Sequence, residues 1–164
     1  MRRRGRRRRT FELPNADNLE DVAEDVCLEG DIAHDLPDVI SMCRACLDSP
    51  SVKRAMQTGT WWREVPFMIS HASNGEAAER GALTNGRVDL VFRDGDELVV
   101  VDYKTDKGVT KKTAEAFARE HHGGQSEVYQ QGLATATGLK VREVAFVYCK
   151  AGAEVRLSGG NVIG

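Results

Sequence analysis

Two aspartates and a lysine are spaced so that they could do chemistry together: Asp89 in Gly86-Arg87-Val88-Asp89-Leu90-Val91-Phe92, and Asp102 and Lys104 in Val101-Asp102-Tyr103-Lys104-Thr105. The runs are apolar and alternating, and Arg93-Asp94-Gly95-Asp96 between them carries the Asp-Gly pair of a β-hairpin turn. Alternate residues of a strand share a face, so Asp102 and Lys104 are neighbours while Val99, Val101 and Tyr103 point the other way. A two-residue turn at Asp94-Gly95 sets Asp89 opposite Val100 and diagonal to Asp102; a four-residue loop sets it directly opposite Asp102. Both registers bring the carboxylates within roughly 5 to 8 Å on one face, whereas a three-residue loop without a bulge would separate them. Leu98 and Val100 share that face, which is therefore apolar at one end and charged at the other, unlike a uniformly solvated surface. Two carboxylates side by side repel unless a cation lies between them, so the chemistry the spacing predicts is metal binding.

The elements that must position these residues can be read outward from the hairpin. Trp61 to Ser70 reads as a strand in which Glu64 shares a face with Trp62 and Pro66. Val141 to Tyr148 reads as a buried strand, and Glu154 to Leu157 as an edge strand. The connection from Tyr103 to Val141 is long enough for a parallel crossover. Within it Thr110 to Glu120 is expected to be helical, His121-His122-Gly123-Gly124 to interrupt with both histidines solvent-exposed, and Gln125 to Ala136 to form a second helix closed by Gly138. Gln125 and Tyr129 then occupy one helix face. Upstream, a short helix is expected to start near Asn15 or Asp17, Pro37 to restart a helix running to about Asp48 with His34 in the turn before it, and Ser51 to Gln57 to form a helix stopped by Gly59.

These residues resemble the PD-(D/E)xK nuclease superfamily, and most closely its RecB/AddA-type nuclease domains, which sit at the C-terminus of UvrD-like helicases. The resemblance rests on Gly86-Arg87-Val88-Asp89 and Asp102-Tyr103-Lys104, with a GxxxH element at Gly30-Asp31-Ile32-Ala33-His34, an ExPF strand at Glu64-Val65-Pro66-Phe67 and a QxxxY helix at Gln125 to Tyr129. It implies an α/β, restriction-endonuclease-like core with a central mixed four- to five-stranded sheet flanked by helices. It also implies a metal-dependent deoxyribonuclease, in expectation an exonuclease of DNA repair and recombination attached to or associated with a helicase and acting on single-stranded DNA or a duplex end. The implied catalytic residues are Asp89, Asp102 and Lys104. The implied ligands of Mg²⁺ or Mn²⁺ are His34, Asp89, Asp102 and the carbonyl of Tyr103, with Gln125 and Tyr129 contacting substrate or steadying Lys104 and Glu64 a second-sphere carboxylate. The alternative is a non-catalytic DNA-binding or interaction module on the same fold.

Composition fits such a domain. The chain has 164 residues, 41% hydrophobic and 29% charged, enough for one domain with a buried core. No apolar run approaches a membrane span and no apolar signal core opens the chain, so a cytoplasmic protein without a membrane partner is expected. The net charge of −2 hides an asymmetry, because Met1 to Arg9 holds a run of arginines while the remainder is acidic. Residues 1–12 read as a disordered Arg-rich arm or linker and 13–164 as a single domain. The four cysteines include the pair in Cys43-Arg44-Ala45-Cys46, but Cys27 and Cys149 do not complete an iron-sulfur pattern, so no cluster is expected.

Overall fold

The computed structural model of the chain describes residues 18–71, 82–159 and 161–163. The Arg-rich run and the expected caps at Asn15 and Asp17 lie outside them. Two compact units divide the chain at Ile40 and Ser41. The first holds helix α1 (Leu19–Glu29), a 3₁₀ turn over Ala33–Asp35 and the start of helix α2 (Leu36–Asp48). Pro37 stands in the first turn of α2, where its missing N–H costs nothing, so the helix restarts there and leaves His34 in the preceding turn.

The second unit contains helix α3 (Pro50–Thr58), capped by the Ser49 hydroxyl and ended by Gly59 at φ 66°, and a mixed sheet that has six strands among the described residues. They lie in chain order: β1 (Trp61–His71), β2 (Ala82–Asp94), β3 (Glu97–Lys104), β4 (Val141–Tyr148), β5 (Ala153–Ser158) and β6 (Asn161–Ile163). Neighbouring strands are antiparallel except β3 and β4, which are parallel, and helix α4 (Ala114–Thr137) makes the crossover between them. The sheet thus exceeds the expected four to five strands. The addition at its far edge is β6, a three-residue strand too short to show a period in sequence, which pairs Val162 with Leu157. For the same reason β5 is not the edge.

The strongest sequence signal, the apolar alternation of β2 and β3, becomes a two-sided core. Val91, Leu98 and Val100 join Val144, Phe146, Val155 and Leu157 under the Ala114, Ala118, Tyr129 and Leu133 side of α4. Leu90, Phe92, Val99 and Val101 join Ala145 and Val147 under Val52 and Ala55 of α3. Each such side chain contributes about 1.5 to 3 kcal/mol when fully buried, which fixes which residues of β3 face α4. Asp102 and Lys104 continue the α4 side, and Tyr103 packs on the α3 side.

Two local expectations are corrected. Helix α4 runs unbroken through His121-His122-Gly123-Gly124. Glycine costs about 1 kcal/mol in a helix interior, but the buried stripe of Ala118, Ser126, Tyr129 and Leu133 on either side anchors the helix to the sheet and outweighs that cost. The hairpin closes at Asp94 and Glu97, making Gly95-Asp96 the turn. Gly95 has φ 65°, which suits glycine at the first central position of a II′ turn. A two-residue turn one position later than Asp94-Gly95 therefore gives the second of the two expected registers, in which Asp89 lies in line with Asp102 one step beyond the last pair, Leu90 with Val101.

Candidate active site

Asp102 is the buried end of the polar face of β3, 5% exposed. Lys104, two residues on, lies on the same face, with its Nζ 3.1 Å from Asp102 Oδ2. Helix α4 supplies the rest. Lys104 Nζ donates to Gln125 Oε1 at 2.8 Å, Gln125 Nε2 donates to the Tyr129 hydroxyl at 2.7 Å, and that hydroxyl donates to Asp102 Oδ2 at 3.1 Å. The four side chains form a closed ring, with Gln125 and Tyr129 a single helical turn apart so that both reach the same strand. Burial and the neighbouring Asp102 carboxylate push the Tyr129 phenol well up, which keeps it a proton donor to Asp102. Lys104 also lies over the Phe146 ring, 5.4 Å from its centroid.

Asp89 enters from β2 where the hairpin ladder stops. The last registered pair is Leu90 with Val101; one residue further, the backbone N–H of Tyr103 donates to Asp89 Oδ2 at 2.9 Å. Leu90 packs on the α3 side and Val88 on the α4 side, so the strict alternation of β2 breaks at Asp89. The facing residue on β1 is Glu64, held at φ 52°, with Arg63 paired to Leu90 and Val65 to Val88 around it. This irregularity frees the Asp89 carboxyl from the ladder. It comes close enough to Asp102 for the two to hydrogen-bond when one is protonated, and its pKa is raised by burial and by the Asp102 charge against the lowering effect of the Tyr103 N–H.

Phe67 and Gly86 brace the arrangement. Phe67 meets the Tyr129 ring edge-on at 5.4 Å, and a Cβ at Gly86 would stand 2.6 Å from Phe67 Cζ, so only glycine admits the ring there. Beside Asp89 an open groove of about 790 Å³ runs over β1 and β2, lined by Glu64, Pro66, Met68, Asn85 and Arg87. Glu64 is exposed and pairs with Arg87 at 3.0 Å.

The structure thus brings together Asp89, Asp102, Lys104, Gln125, Tyr129 and the Tyr103 backbone. His34 belongs to the first unit, where its exposed imidazole lies 3.5 Å from the Asp35 carboxylate. His122 corrects the expectation of exposure: it stacks on Phe146 with centroids 5.1 Å apart, and burial holds its pKa down. The unbroken helix explains it. His122 falls on the stripe of Ala118 and Ser126, visible in the sequence once α4 is read as continuous.

The sequence profile described as the PD-(D/E)XK nuclease superfamily matches residues 11–158. The chain belongs to that superfamily. Its relatives include the A subunit of the ATP-dependent helicase/nuclease of Anoxybacillus flavithermus, 30% identical over 109 residues, which are 66% of this chain and 9% of that protein. The same subunits of Acetivibrio thermocellus (36% over 112 residues, 61% of this chain and 8% of that protein) and Geobacillus thermodenitrificans (35% over 94 residues, 50% and 8%) are also similar. The chain spans less than a tenth of the length of these superfamily relatives. Among solved structures, that of SSO0001 aligns with a TM-score of 0.42 at 15% identity, covering 85% of this chain and 61% of that one.

Proposed function

We propose that the chain is the nuclease domain of a helicase-nuclease and hydrolyses phosphodiester bonds of DNA with a divalent cation, Mg²⁺ or Mn²⁺. The observation that carries this reading is the closed ring of Asp102, Lys104, Gln125 and Tyr129 beside the Asp89 carboxyl. A ring of this kind holds a carboxylate and an ammonium at fixed positions in a mostly buried setting, which is how charge is preorganised for a transition state.

The residues fit a hard cation. Two carboxyl groups share one place, where burial and the Asp102 charge raise the Asp89 pKa, and the donors are oxygens. Among the described residues no three His, Cys, Asp or Glu side chains converge, so the holding set is Asp89, Asp102 and the Tyr103 carbonyl, with the balance from water and phosphate. When bound, the cation polarises the phosphate and lowers the pKa of a coordinated water.

The protein's own contributions follow from the ring. Tyr129 and Lys104 both donate to Asp102, so one carboxylate oxygen is fixed and the side chain cannot swing. An ammonium has three N–H donors, and Asp102 and Gln125 engage two of those on Lys104. The third is left to orient the attacking water or to meet charge building on the phosphate. Gln125 and Tyr129 act by holding Lys104 and Asp102. Glu64 acts from outside this set, as the counter-ion of Arg87 beside the groove. The groove next to Asp89 is the path for a single strand, and the acidic body makes the cation the main attraction for its phosphates.

The test is cleavage of an end-labelled single-stranded oligonucleotide by the full chain with added Mn²⁺. Product formation that disappears with EDTA and in Asp102→Asn is expected. A folded chain that binds Mn²⁺ and the oligonucleotide without cutting would favour a non-catalytic module. By the same resemblance, exonuclease action, roles in repair and recombination and a helicase partner belong to this proposal, as does the cytoplasmic setting expected from the sequence; no described helix is long and apolar enough to cross a membrane.

A further inference from the structure

On the opposite side of β3 from the ring, two thiols meet. Cys46, near the end of α2, and Cys149, just after β4, have their sulfurs 2.8 Å apart across 103 residues of sequence. Both are reduced. Their backbones are fixed: the Cys149 N–H donates to the Lys104 carbonyl at 2.9 Å, and the Cys46 carbonyl accepts from the Ser49 N–H at 3.2 Å. Cys149 is buried, whereas Cys46 is partly exposed, so a small oxidant can reach the pair from the α2 side. A disulfide places its sulfurs about 2.0 Å apart, and the bond would therefore close a gap of less than about an ångström.

We propose that Cys46 and Cys149 form a dithiol site that a hydroperoxide oxidises to a disulfide, fastening the end of α2 to the end of β4 behind Lys104. The hydrogen bond from Cys46 pushes the Cys149 thiol down and the Cys46 thiol up, which puts the shared proton on Cys46 and thiolate character on Cys149. The Cys149 thiolate attacks one oxygen of hydrogen peroxide; the O–O bond breaks, leaving a sulfenic acid and hydroxide. The Cys46 sulfur then attacks the Cys149 sulfur, the S–S bond forms, and the S–O bond breaks as a second hydroxide leaves. The two thiol protons convert both hydroxides to water. Two thiols and one peroxide give one disulfide and two waters, with two electrons passing from sulfur to oxygen. Because the Cys149 N–H holds the Lys104 carbonyl, the link would also fix the strand end that carries Lys104.

The experiment treats the reduced full chain with hydrogen peroxide, then counts thiols and maps peptides by mass spectrometry. Expected are the loss of two of the four thiols, a mass lower by two hydrogens, a Cys46-to-Cys149 cross-linked peptide, and a higher thermal midpoint, all reversed by dithiothreitol. Cys46→Ser removes the link and Cys43→Ser retains it. The wild-type peptide map stands even where a variant folds poorly. The proposal is overturned if all four thiols survive peroxide that fully oxidises glutathione alongside, if the link joins Cys43 to Cys46 or two chains, or if oxidation stops at sulfenic or sulfinic acid. None of these readouts depends on nuclease activity.

Discussion

Replacing Lys104 by alanine and Asp102 by asparagine separates holding a cation from using it. The Lys104 ammonium is 3.1 Å from the Asp102 carboxylate, and both side chains are largely buried. At an effective dielectric of about 20, unit charges at that distance attract by about 5 kcal/mol. A cation on Asp102 must compete with that attraction. Lys104→Ala removes the competitor, and recovery of about a quarter of the attraction would strengthen Mn²⁺ binding roughly tenfold. Asp102→Asn removes a ligand charge and leaves the lysine opposing the ion, so Mn²⁺ affinity falls by at least about tenfold. Cleavage should fall in both, by about 10² to 10⁴-fold for the lysine, the scale for removing a positioned acid, base or charge donor. Calorimetric titration with Mn²⁺, single-stranded DNA cleavage at saturating Mn²⁺ and thermal melts of each variant measure the three effects apart. The reasoning fails if folded Lys104→Ala cuts at the parent rate, or if it loses Mn²⁺ affinity as Asp102→Asn does.

Four further outcomes follow from individual contacts. Gly86→Ala brings a Cβ to 2.6 Å from Phe67, and urea unfolding should register a loss of about 1 to 3 kcal/mol from this overpacking; an unchanged midpoint would refute the close fit. Tyr129→Phe deletes a donor to Asp102 and an acceptor for Gln125, so stability should drop by about 1 to 3 kcal/mol while kcat falls and the Mn²⁺ requirement persists; full activity would make the ring incidental. Arg54→Met leaves Glu143, 2% exposed, without its 2.6 Å partner, and even with Arg156 3.8 Å away should cost about 3 to 5 kcal/mol by chemical denaturation. Asp89 has its folded pKa above the ordinary 3.8, so its contribution to stability without metal is present below that value and lost as pH rises through the folded pKa. A bound cation displaces that proton, so Mn²⁺ affinity should rise with pH across the same window; a flat calorimetric profile there would count against Asp89 as a ligand.

What the sequence made legible was whatever depends on period. The alternation of Leu90 to Phe92 and Leu98 to Tyr103 marked the two strands of the hairpin, the two core faces and the common side of Asp102 and Lys104, because core burial penalises any slip by one residue. The break in alternation at Asp89 was not legible. It coincides with Glu64 at φ 52° on a different strand, and no pattern local to β2 records it. The unbroken α4 was hidden for a related reason. Two glycines and two histidines are a local argument for a break, whereas continuity rests on packing of Ala118, Tyr129 and Leu133 against the sheet, which exists only in the fold.

The motif elements far apart in the chain prove to be successive links of one set of contacts. Phe67 of β1 occupies the space that Gly86 of β2 leaves open, and the same ring touches Tyr129 of α4. Tyr129 holds Asp102 of β3 and accepts from Gln125, which holds Lys104. Glycine, phenylalanine, tyrosine and glutamine are therefore needed at these positions because each sets the place of the next, ending at a carboxylate and an ammonium 3.1 Å apart. A change at Gly86 should be felt at Lys104, four contacts away through Phe67, Tyr129 and Gln125, as weaker coupling between residues that share partners. Combining Gly86→Ala with Tyr129→Phe should accordingly cost less in cleavage than the product of the single effects, since the second change removes what the first displaces. Multiplicative losses in a double-mutant cycle would show the brace and the ring to be independent.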